Sequence, residues 1–133
     1  MSEIVNHSDC ENFFDKVMNL DDKIRYVAIY DGEYHAKFRD GIIGYFKEEE
    51  IRSSLSEAQH RWAFRKKLSF KIGAPKFAMA EYAKVNRITF PLGNEAVILV
   101  TTELGINISK LVDDIIEIRN PLNNHLLNGF YTR

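Results

Sequence analysis

The apolar positions recur with two different periods along the chain, and the switches between them mark out the elements. Cys10, Phe13, Phe14, Val17 and Met18 stand at i, i+3, i+4, i+7 and i+8, one stripe down a helix. Ser8 and Glu11 have the S-x-x-E form of a capping box, which predicts Ser8 as the cap. The polar run at 19–22 closes the helix. The period then drops to two. Residues 26–30, YVAIY, form an apolar strand, Asp31-Gly32 suits a two-residue hairpin turn, and Tyr34, Ala36 and Phe38 alternate with His35, Lys37 and Arg39.

Residues 47–72 return to a helical pattern, as one long helix or two with a bend near Ser69. Glu48, Glu49 and Glu50 at its start and Arg65, Lys66, Lys67 and Lys71 near its end complement the helix dipole. Gly73-Ala74-Pro75 stops it. Three further strands are predicted, over 77–83, around Ile88, Phe90 and Leu92, and over 96–102, with a turn at Gly93-Asn94. A last helix, capped by Asn107 or Ser109, carries the stripe Ile108, Leu111, Val112, Ile115 and Ile116 and is expected to end at Asn120-Pro121. Residues 120–133 then form a polar tail. The fold class is α+β: one domain over 1–133, order α-β-β-α-β-β-β-α, with a five-stranded, mainly antiparallel sheet and the long helix on a face.

That order resembles the roadblock-like (dynein light chain roadblock) group of the profilin-like and longin-like superfamily, archaeal branches of it included. The resemblance spans residues 9–119. It rests on the hairpin at 27–38, the long helix closing at Gly73, and the stretch EYAKVNRITFPLGNEAVILVTTELGINISKLVDDIIEI. It implies a protein that works through surfaces, as a homodimer, and that serves as an adaptor or as a regulator of a protein partner, small GTPases among them. The central helix departs from the alanine- and leucine-rich one common in the group, being rich in aromatics and basic near its end. A sensor domain of the PAS type is the rival fold, and a small-ligand sensor with a pocket between helix and sheet is the rival function.

Composition narrows the chemistry. With 45% hydrophobic and 28% charged residues, 133 residues can enclose a core without metal or disulfides. A single cysteine and an opening, MSEIVNHSDCENFF, that lacks the basic start and apolar run of a secretory signal lead us to expect a cytoplasmic protein. No apolar run reaches the roughly 20 residues of a membrane span. Neither a P-loop nor a G-x-G-x-x-G fingerprint occurs. His7, His35, His60 and His125 are far apart and read as surface residues, Cys10 as core filler, and Asp113-Asp114 as a solvated helix face. We therefore expect no enzyme, no cofactor and no metal.

Two features stand out from this background. Six of the 18 basic residues (Arg61, Arg65, Lys66, Lys67, Lys71 and Lys76) fall in a stretch with none of the 19 acidic ones. A solvated helix end accounts for this patch, with an acidic protein partner or nucleic acid, stacked on Trp62, Phe64 and Phe70, as the alternatives. Second, Ile51, Leu55, Ala58 and Trp62 share a narrow arc of the long helix, and Phe64 and Leu68 lie roughly 120° to 160° away from it. One sheet does not cover both sets. In roadblock-like dimers the central helix and the strand after it form the interface, so the resemblance makes Phe64, Leu68, Phe77 and Met79 the interface candidates. An intramolecular core beneath the C-terminal tail is the alternative.

Overall fold

The computed structural model describes the backbone of residues 5–131 and the side chains of residues 5–128. The first four residues of the opening stretch and the last two of the tail lie outside the described residues. The elements follow in the order α1 (His7–Met18), β1 (Ile24–Tyr30), β2 (Tyr34–Phe38), α2 (Glu48–Lys66), α3 (Ser69–Ile72), β3 (Ala78–Glu81), β4 (Asn86–Leu92), β5 (Ala96–Thr102) and α4 (Ile108–Tyr131). The strands make one sheet in the order β2-β1-β5-β4-β3, antiparallel at every pairing. All seven residues of the central strand β5 are buried.

Alternation along the strands sends side chains to two cores. On one face Val27, Ile29, Ile88, Phe90, Ile98 and Val100 meet the stripe of α1 and Leu111, Val112 and Ile115 of α4. On the other, Tyr26, Ala28, Val97 and Leu99 meet Ile51, Leu55, Ala58 and Trp62 of α2. The β1 register shifts between Ile24 and Tyr26. That irregularity is why Ile24 shares a core with Val27 although the two are three positions apart.

Several local expectations are corrected. Asn6, not Ser8, caps α1, its side chain accepting from the Asp9 amide at 2.8 Å. The β1–β2 connection has three residues, and only Gly32 has positive φ, at 105°. Asp31 is buried and holds the turn with its carboxylate, which accepts from the amides of Glu33 at 2.9 Å and Val5 at 2.8 Å. Arg39, read as an outward strand residue, instead donates to the carbonyls of Ile24, Met18 and Asp21 and ties the end of α1 to β1.

The long helix does break before Ser69: α2 ends at Lys66 and α3 starts at Ser69, with Gly73 at φ 89° closing it. The last helix does not stop at Pro121. It continues to Tyr131, at the cost of one backbone hydrogen bond. Tertiary contacts offset that cost. Leu122 and Leu126 pack on the α1/α4 core, and Asn123 Oδ1 accepts from the Gly93 amide at 2.7 Å.

Candidate functional site: an apolar edge and a cationic cleft

One helix is too narrow to cover a five-stranded face, and two regions of the sheet stay open. The first is the β3 edge, which the chain reaches from the end of α2 through α3. Phe64 is 65% exposed, Leu68 47%, Phe77 43% and Met79 40%, so all four interface candidates are at the surface. They do not share a face: Ala78 packs on the α2 core, while Phe77 lies against Phe90 and Met79 is paired with Ile88, on the α1/α4 side. Phe70 and Ile72 of α3 are also exposed, at 81% and 80%. The strand is itself a sheet edge, with one row of backbone groups unpaired by any neighbouring strand.

The residues of the basic patch take different partners. Arg61 sits within 3.6 Å of Glu57 and lines the second region. Arg65 lies over the Trp62 ring, Lys66 donates to the Asn94 carbonyl at 2.6 Å, and Lys71 rests near the Phe70 ring. Lys67 and Lys76 are exposed. Trp62 is no stacking platform: it is 1% exposed, and its Nε1 donates to Thr89 Oγ1 at 3.1 Å.

The second region is an open cleft of about 870 Å3 between the first half of α2, the sheet and the loop after β2. Arg25 enters it from the irregular turn of β1. Its guanidinium is held by Glu103 at 2.7 Å and by the Ile43 carbonyl, with Tyr45 stacked over it. Arg87 enters from β4 and donates to Ser54 Oγ at 2.6 Å. Tyr26, Tyr45 and Tyr82 supply apolar wall. Sequence reading missed these residues. The available signal was a basic residue inside each of two largely buried strands, IRYVAIY and NRITFPL.

Cys10 is 1% exposed, and burial, reinforced by Asp31, Asp9 and Glu11, pushes its thiol up to about 12. It is a core residue with no thiolate to offer at neutral pH. His7, His60 and His125 are exposed, and His35 is half-buried, 3.7 Å from Asp31. Among the described residues no three His, Cys, Asp or Glu side chains are grouped to hold a metal ion, and no helix is long and apolar enough to cross a membrane.

A sheet ordered β2-β1-β5-β4-β3, with two helices on one face and the central helix on the other, defines the roadblock-like fold. The chain superimposes on a Roadblock/LC7 domain from Streptomyces avermitilis with a TM-score of 0.65 at 7% identity, over 86% of this chain and 95% of that one. Myxococcus xanthus MglB matches with a TM-score of 0.55 at 18% identity, over 89% and 100%. An MglB in a tetrameric arrangement matches with 0.72 at 8%, over 94% of each chain. These likenesses give the fold. The sequence itself matches no protein-family model and no curated protein.

Proposed function

We propose that the protein is a cytoplasmic, non-enzymatic homodimer that acts as an adaptor or regulator of a protein partner, with a small GTPase the first class to try. The observation that carries the reading is apolar exposure around the β3 edge: Phe64 of α2, Leu68 just after it, Phe77 just before β3 and Met79 on β3 are each at least 40% exposed. Water is a poor environment for such side chains, and a second copy that adds its own β3 and α2 offers both backbone partners and apolar cover. The tetrameric arrangement of one structural relative supports assembly as a property of this fold.

Light scattering after gel filtration tests it. The protein should run at twice its 15.4 kDa, and Leu68→Glu should run at 15.4 kDa with unchanged far-ultraviolet circular dichroism. A charge there is costly only if a partner buries it. A native protein that runs as a monomer at micromolar concentration overturns the homodimer. The regulatory half needs a partner, sought by affinity purification from the native cell. Recovery of a GTPase with the native chain and its loss with the monomeric variant is the expected result.

A further inference from the structure

The cleft on the α2 side is electrostatically unbalanced in one place. Four cations line it, Arg25, Arg61, Lys84 and Arg87, against the carboxylates Glu50 and Glu57. Both carboxylates are already used on α2. Glu50 accepts from the Lys47 amide at 2.9 Å, and Glu57 lies beside Arg61. Arg25 is neutralised by Glu103.

Arg87 is different. It is half-buried, its one hydrogen-bond partner is the neutral Ser54 hydroxyl, and it makes no ion pair among the described residues. Burial is the main cause pulling its pKa below the usual arginine value, and Arg61 acts in the same direction. An arginine stays charged through such a shift. The fold thus holds a half-buried cation without a counter-ion, its free guanidinium donors open to an anion in the cleft. Lys84, on the β3–β4 turn, leans over the Tyr45 ring at 5.1 Å and adds a second exposed cation at the mouth.

We propose that this cleft binds a small organic phosphate with a planar ring, the phosphate received by Arg87 with Arg61 and Lys84, and the ring by the tyrosine wall of Tyr45 and Tyr82. A guanidinium offers paired donors to phosphate oxygens, and clustered cations suit a dianion better than a single carboxylate. The volume falls within the range of about 300–1,000 Å3 typical of small-molecule sites. None of Phe64, Leu68, Phe77 and Met79 lines the cleft, so the site shares none of the proposed interface side chains.

Calorimetry on the full chain tests the proposal with adenosine monophosphate, guanosine monophosphate, adenosine and inorganic phosphate as probes. At least one nucleotide should bind at least tenfold more tightly than adenosine and than inorganic phosphate. Arg87→Gln should weaken that binding at least tenfold, and Arg87→Lys should recover part of it. Should Arg87→Gln fail to fold, Lys84→Ala on the exposed turn serves instead, with a loss of about threefold expected. Adenosine binding as tightly as its phosphate, inorganic phosphate as tightly as either nucleotide, or no heat with both nucleotides overturns the proposal. Leu68→Glu should leave the nucleotide affinity unchanged, so failure of the homodimer and failure of the site are told apart.

Discussion

The two faces of the sheet are solved differently. On the α1/α4 side two helices meet the strands, and the side chains that touch them (Phe14, Val17, Phe90, Ile98 and Ile115) are at most 1% exposed. On the α2 side one helix buries Leu55, Ala58 and Trp62 as thoroughly, but only along its own width. Beyond that width the chain leaves an open cleft lined by Arg25, Arg61, Lys84 and Arg87. At the β3 edge even the first face is not fully covered, since Phe77 and Met79 stay at least 40% exposed. Two helices thus seal the middle of their face, whereas a single helix leaves charged groups of the sheet open to solvent.

Substitutions that separate the faces should sharpen this contrast. The largest effect is expected on the covered face: Phe14→Ala should cost about 3–5 kcal/mol in a denaturant melt, since the ring is fully enclosed and its loss leaves a cavity. Trp62→Phe, in the middle of the α2 face, should cost about 1–3 kcal/mol, because it keeps most of the ring but orphans the buried Thr89 hydroxyl. Equal losses at the two sites would erase the distinction.

A smaller effect is read from alkaline titration. The Cys10 thiol is raised from 9.0 to about 12, so above pH 9 the unfolded chain loses a proton that the folded one keeps. Stability should then fall with rising pH, by up to about 1.4 kcal/mol per unit from this group, until about pH 12. Tyr34, on the α2 side, is raised by burial from 10.0 to about 12 and adds a decline that begins one unit later. Cys10→Ala should remove the decline between pH 9 and 10, and Tyr34→Phe should leave that interval unchanged. A decline that survives Cys10→Ala there would contradict the assignment.

Most of the fold was legible because period and face agree. The stripe of α1 is buried at all five of the positions read, and the strand at 96–102 is found with the same bounds. The misses have physical reasons. Ser8 matched a capping pattern, but a cap two residues earlier at Asn6 lets His7 and Ser8 join the helix. Pro121 is a strong local stop signal, overridden because Leu122 and Leu126 have a core to reach. The exposure of Phe64 and Leu68 was visible in their place away from the arc of Leu55, Ala58 and Trp62. The cleft was not, since Arg25, Ser54 and Arg87 come from three elements separated in sequence and meet only through the sheet register. Trp62 misled in the other direction. Lying among basic residues, it resembled a nucleic-acid contact and is instead the centre of a core.

The central claim is that the β3 edge, and not the β2 edge, is the one that meets a second copy. Oxidative cross-linking tests it through single cysteines placed on each edge, Met79→Cys on β3 and Lys37→Cys on β2, with Cys10 too buried to interfere. The account predicts a disulfide-linked species of twice 15.4 kDa for Met79→Cys and a monomer for Lys37→Cys. A cross-link through Lys37→Cys with none through Met79→Cys, or none through either, would contradict it.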